Sequence, residues 1–252
     1  MDNTKLKDRM SGKLEAMEQA ASETALAPIS SNYVALSSNA LDIIRGNLKN
    51  QALTLDLFDI VKSPSGGSTV FAVPGLSGED TEKDLTGIIL DYTTPRAYWD
   101  TPDPVEGTPP VCMSENSIIS SDGKACASCH LNDFGSKDGE TNAKACKESV
   151  LLYLLRPNNI LPLLVRVPVT SKNRFLKYTA RLAGALTPVN GVVTRITLDK
   201  ATSKGGKPYA VFNFEAVSTL APEEASGAKA YAKQFMEIVS TIPAMPDLAE
   251  AS

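Results

Sequence analysis

A mixed α+β fold, a small β-barrel flanked by helices and interrupted by one metal-binding loop, is what three features of the 252-residue sequence predict. Short strand-like runs recur from residue 53 to residue 217, separated by turns rich in Gly, Pro, Ser and Asp. Helical periodicity is confined to the two ends and to one basic stretch. All four cysteines fall between positions 112 and 146. With 42% hydrophobic residues a chain of this length can bury a core. The longest apolar run, Ile160 to Val169, is broken by Pro162, Arg166 and Pro168, so no segment is expected to span a bilayer. The N-terminal residues carry charges throughout and lack the apolar centre of a secretion signal, which makes a reducing cytoplasm the expected location.

Taken in order, Leu6, Met10, Leu14, Met17 and Ala21 recur at helical spacing and predict an amphipathic helix over 4–25. Residues 1–30 form an N-terminal arm suited to docking on the core or to self-association with another subunit. Ala40–Leu48 is a second helix, entered after Ser38 and Asn39. LTLDLFDIV and STVFAVPG read as strand, turn and strand across SPSGG, and IILDY with RAYW extends a further strand region to Trp99. The four prolines of TPDPVEGTPPVC exclude regular structure there. SVLLYLL and ILPLLVRVPV follow as strands, then a basic helix capped by Thr170 and ended by Gly184. VVTRITLDKA and YAVFNFEAV form a hairpin with a basic tip, and Ala210, Phe212, Phe214 and Ala216 share its core face. A last helix runs from Pro222 to Ser240. The core domain is therefore 31–240, with an insertion at 106–148, and 241–252 is a polar tail. Such a set of strands with a basic hairpin suits an oligonucleotide-binding-like barrel.

Cys126-Ala-Ser-Cys129 can present two thiolates to one metal, and Cys112 and Cys146 can return from either side to complete a tetrahedral set. The stretches between them are polar and glycine-containing, too poor in apolar residues for their own core, so metal would hold them together. Structural zinc is the cofactor this predicts. Two alternatives stay open: Cys126-Ala-Ser-Cys129-His130 also spells a haem attachment signature, and His130 can replace one cysteine in a mixed zinc site. As the sole histidine, His130 leaves little room for Ser-His-Asp or Cys-His catalysis. No phosphate-cradling glycine loop occurs, and the chain reads as non-catalytic.

Charge is strongly segregated. Residues 1–140 carry 11 basic and 21 acidic residues, 141–210 carry 12 and 2, and 211–252 carry 2 and 6. A basic block in an acidic chain is the expected footprint of polyanion binding. The expected phosphate contacts are Arg166, Lys172, Arg174, Lys177, Arg181, Arg195, Lys200, Lys204 and Lys207, turned to one continuous face. Tyr178 and Tyr209 are the expected exposed stacking residues, while Tyr98 and Trp99 stand equally between core and platform.

Gly123-Lys-Ala-Cys126-x-x-Cys129-x-Leu-Asn-x-Phe-Gly135-Ser, Lys144-Ala-Cys146-Lys147, and the later LPLLVRVPVTSKNRFLKY and VVTRITLDKATSKGGKPYAVFNF runs resemble a group of phage and prophage proteins. The likeness covers about residues 90 to 225. In outline the chain is also similar to the zinc-containing single-stranded DNA-binding proteins of T4-like phages, with Cys126 and Cys129 as the matching pair. The resemblance implies binding of single-stranded DNA and partners in phage replication or recombination. Those proteins use three cysteines and one histidine, where this chain offers four cysteines. A zinc-stabilised module that binds a host or phage protein is the alternative expectation.

Overall fold

Val150 to Leu155 offers nothing to water, and the computed structural model buries all six residues. The structure describes residues 28–29, 33, 40–49, 51, 57–101, 108–139, 142–203 and 205–239. The helix expected over 4–25 and the tail at 241–252 lie outside these residues. In chain order the elements are β1 (Pro28–Ile29), α1 (Ala40–Leu48), β2 (Ile60–Val61), β3 (Phe71–Gly75), β4 (Gly78–Glu82), β5 (Asp84–Thr93), β6 (Arg96–Tyr98) and β7 (Cys112–Ser114). They continue with β8 (Lys147–Leu155), β9 (Leu163–Pro168), α2 (Val169–Gly184), β10 (Val192–Thr202), β11 (Pro208–Leu220) and α3 (Pro222–Val239). No helix among the described residues is long and apolar enough to cross a membrane.

One sheet carries the fold, in the order β1-β11-β10-β5-β8-β6-β7, with β9 pairing β8 and β2 pairing β9. Strand β5 is its pivot. Residues 84–87 pair with β10 and residues 88–93 pair with β8, with a register shift between Ile89 and Asp91. Bulges of this kind bend a strand and raise its twist, which lets the sheet curl. Gly87 sits at the turn-over point, where any Cβ would lie 2.4 Å from the Leu155 carbonyl oxygen.

Both faces of the sheet are covered, and β8 shows this directly. Val150, Leu152 and Leu154 face one apolar cluster, shared with Phe175, Tyr178 and Leu182 of α2. Leu151, Tyr153 and Leu155 face the other, shared with Ala228, Tyr231, Ala232 and Phe235 of α3. A strand buried on both sides reads as an unbroken apolar run, as this one does. Phe235 meets Phe58 and Tyr153 edge-on at 5.5 and 5.8 Å between ring centres, and Phe175 meets Tyr92 and Phe214 at 4.8 and 5.1 Å. At the start of α3 the Glu224 carboxylate accepts the Ala221 N–H at 3.2 Å, half of a capping box.

The barrel does not close. No ladder joins β11 to β9 among the described residues, and α2 lies against β11, β8 and β9 instead. The buried Ser171 hydroxyl accepts the Phe212 N–H at 3.0 Å, supplying the partner that another strand would have given this edge. The molecule is thus an α+β protein with an open, curled sheet. Helix α2 ends at Gly184 as expected, but its start and the way both ends are capped differ from expectation. It begins at Val169 after Pro168 with no side-chain cap, so Thr170 lies inside its first turn. It closes through Leu186 at φ 54°, with Thr187 N–H bonded to Leu182 O and Leu186 N–H to Ala183 O, and not through Gly184.

Candidate nucleic-acid interface and cysteine element

Helical spacing in α2 gathers Ser171, Phe175, Tyr178 and Leu182 on its buried stripe and leaves Arg174, Lys177 and Arg181 exposed along one flank. Arg174 bonds to the Asn213 side chain on β11 and lies 3.7 Å from Asp199, which also accepts the Asn213 amide at 2.8 Å. Arg195 faces Glu215 directly across the β10–β11 ladder, with 2.6 Å between the charged atoms. Lys200 and Lys207 are exposed on the same hairpin and Tyr209 is half-buried, whereas Lys204 lies outside the described residues. Among the described residues no carboxylate lies within ion-pairing distance of Lys177, Arg181, Lys200 or Lys207.

Burial removes two expected contacts. Arg166 is only 8% exposed in β9, flanked by Val165 and Val167 in a strand covered on both faces, and cannot reach a polyanion. Tyr178 is 6% exposed, its hydroxyl shares a 2.6 Å hydrogen bond with Thr194, and burial raises its phenol above the usual range. It is a core residue and not a stacking platform. Lys172 is half-buried and bonds to Glu148, whose other oxygen takes Arg96 at 3.1 Å. Burial alone would raise the Glu148 carboxyl, but the hydrogen bonds and charges of Lys172 and Arg96 hold it below the ordinary carboxylate range. The expected continuous positive face is therefore divided. Glu148 and Asp199, the two acids of the basic block itself, meet Lys172 and Arg174, while Glu215 and Glu82, from outside it, meet Arg195 at 2.6 Å and Arg156 at 2.8 Å.

The second expected site is the excursion from Tyr98 to Lys147. Cys112 lies on β7, paired with Tyr98 of β6. Side chains then fold the chain locally. Ser114 donates to Ile119 O at 2.6 Å, and the Asn116 carbonyl accepts the N–H groups of Ile118 and Ile119 at 2.8 and 3.2 Å. Cys126 N–H bonds to Ile118 O at 2.8 Å, which brings the Cys126–Cys129 turn back against the strand. Asn132 donates from its side-chain amide to Cys126 O at 3.1 Å and accepts from Lys144 Nζ at 3.0 Å and from Arg96. Cys146 N–H reaches Leu131 O at 2.9 Å.

All four cysteines, Cys112, Cys126, Cys129 and Cys146, belong to this element, and none is in a disulfide. Burial pushes the Cys146 thiol up to about 11 and raises that of Cys112. The ligand cluster itself is not formed: among the described residues no group of three or more His, Cys, Asp or Glu side chains is set to hold a metal ion. His130 is exposed. The cysteine element and the hairpin tip also sit at opposite ends of β5, since β10 runs toward the tip past Asp84 while the element follows Thr93.

One exposed aromatic was not legible as a site residue. Phe134 is 75% exposed and carries the Lys144 ammonium over its ring, 4.5 Å from the centre. The available signal was a lone phenylalanine in a polar, glycine-flanked run with Lys137 and Lys144 close by in sequence.

Fold and site together define an α+β protein whose open, curled sheet carries a cysteine-bearing insertion and a basic hairpin. No family model, no curated protein and no solved structure matches the chain.

Proposed function

We propose that this chain is a non-catalytic protein that binds single-stranded nucleic acid, DNA foremost, on an oligonucleotide-binding-like half-barrel stabilised by zinc. One observation carries the reading: the strand order β9-β8-β5-β10-β11 and the position of its two excursions. Oligonucleotide-binding folds are five-stranded, partly open Greek-key barrels that hold their ligands on the face of the second and third strands and with the first-to-second and fourth-to-fifth strand loops; here β8 and β9 are covered on both faces, which leaves the two loops to hold a ligand. Counting β5, β8, β9, β10 and β11 as the five, those loops are the cysteine element and the basic hairpin tip. Lys177, Arg181, Lys200 and Lys207 are the phosphate contacts, and Arg174 and Arg195 join them by exchanging a carboxylate for a phosphate. Tyr209 is the stacking residue at the hairpin.

Zinc fits the donor set of Cys112, Cys126, Cys129 and Cys146. Four thiols share an element that buries few apolar side chains, and a closed four-thiolate site supplies folding energy there, with no open position for catalysis. The resemblance to phage proteins suggests a cytoplasmic role in phage replication or recombination. A second reading, a zinc-stabilised protein-interaction module, is favoured by exposed Val111, Ile118 and Ile119 on the same element.

Titrating a fluorescent oligo-dT with salt separates the two. Engagement of about four to six phosphates on a single strand predicts a slope of log affinity against log salt of roughly -3 to -4. Replacing Lys200 and Lys207 together is expected to flatten it by about one unit or more. Binding that ignores salt, or no binding, transfers the case to the interaction module. Elemental analysis is expected to find one zinc per chain, lost in Cys129→Ser.

A further inference from the structure

The cysteine element presents its own aromatic surface, and resting on the nucleic-acid reading above, we propose that Phe134, with Lys144 beside it, is a base-stacking platform. A base needs a flat apolar face open to solvent with cations near enough to hold the adjoining phosphates. Phe134 is 75% exposed, among the most exposed large apolar side chains described. Lys144 sits over one face of the ring, 4.5 Å from its centre, so a base would take the opposite face. Lys137 N–H bonds to Ala143 O at 3.2 Å, which sets the backbones of Lys137 and Lys144 side by side in the same turn. A nucleotide supplies a base for the ring and a phosphate for the ammonium together.

The platform is also rigid. The Ser136 hydroxyl donates to Leu131 O at 2.9 Å and accepts Ala145 N–H at 2.9 Å, Gly139 N–H closes on Gly135 O at 2.8 Å, and Asn132 holds Lys144. A ring fixed in this way loses little freedom on stacking.

The test uses the full-length protein with oligo-dT and with an abasic strand of the same length. Phe134→Ala is expected to weaken oligo-dT binding by about 5- to 150-fold at an unchanged salt slope, because stacking releases no counterions. That loss is expected to vanish on the abasic strand. Phe134→Trp is expected to bind like wild type, with tryptophan emission quenched by oligo-dT beyond the response of Trp99 alone. Lys137→Ala with Lys144→Ala is expected to flatten the slope by about one unit. Unchanged oligo-dT affinity in Phe134→Ala, with wild type still binding in a salt-dependent way, overturns the platform and leaves the nucleic-acid reading standing. Absence of oligonucleotide binding by wild type at low salt overturns both. Since Phe134 is exposed, an unaltered melting temperature confirms that the alanine variant reads binding and not folding.

Discussion

Strand β8 and the cysteine element meet at Lys147, yet they are held by different physics. From Val150 to Leu155 no residue is more than 2% exposed, and each side chain enters one of two apolar clusters. Across the described part of the element the only buried residues are Ser114, Ser120 and Cys126. There the chain is shaped by side chains bonded to backbone: Ser114, Asn116, Ser120, Asn132 and Ser136. Apolar burial is non-directional and tolerates some change of shape, whereas each bond of a polar network depends on particular atoms. Removing a methyl group should therefore damage the first region, and moving one donor should damage the second.

The largest expected effect follows from truncation in β8. Leu152→Ala, at 0% exposure, is expected to cost about 2 to 5 kcal/mol in urea unfolding. Ile119→Ala, half exposed in the element, is expected to stay within about 0.5 kcal/mol. Comparable losses at the two positions would break the contrast. Next comes the join between the regions. Glu148 bridges Arg96 of β6 and Lys172 of α2, with side chains 10 to 24% exposed. Glu148→Gln leaves two cations short of a counter-charge and is expected to cost about 3 kcal/mol, the lower end for a broken buried pair because water still reaches it. The pH dependence has a definite sign. Despite burial, the folded carboxyl titrates below its ordinary value, so its contribution is complete above the ordinary carboxylate range and is lost as pH falls through the lowered folded value. Acid unfolding curves of the Gln variant should lack that component.

Legibility in the sequence follows the same division. The β8 run was readable because six apolar residues in a row leave no solvent face, and Ala40–Leu48 was readable from its flanks. The basic hairpin and the core face of Ala210, Phe212, Phe214 and Ala216 were readable from alternation. Tyr178 misled because a tyrosine near lysines looks exposed until Thr194 is found to take its hydroxyl. Arg166 misled because a lone arginine in an apolar strand counts as charge whether or not it reaches the surface. The acids that meet Lys172, Arg174 and Arg195 come from β8, β10 and β11, and a count along the chain has no access to who faces whom across a ladder. Four cysteines close in sequence announced a shared element, while the hydrogen bonds that shape it run from serine and asparagine side chains to backbone groups at no recognisable spacing.

Apart from the exposed Ile119, the smallest expected effect is also the most specific, and it concerns Asn132. Its side chain does two things: the carbonyl oxygen ties the element to Arg96 and Lys144, and the amide supports the Cys126 carbonyl at the Cys126–Cys129 turn. Asn132→Ala removes all three bonds and is expected to cost about 2 kcal/mol, since each is worth about 1 kcal/mol net and water replaces part of the loss at the two cations. The loss should be local, because the sheet core is untouched. Amide exchange is expected to speed between Cys126 and Cys146 while protection in β8 stays unchanged. Asn132→Asp separates the two roles, since a carboxylate still accepts from Arg96 and Lys144 but donates nothing to Cys126. Recovery of slow exchange in the Asp variant identifies the tie to Arg96 as the main restraint, and failure to recover identifies support of the turn. Exchange unchanged in both variants would show that the element does not depend on its polar network, and the contrast with β8 would have to be given up.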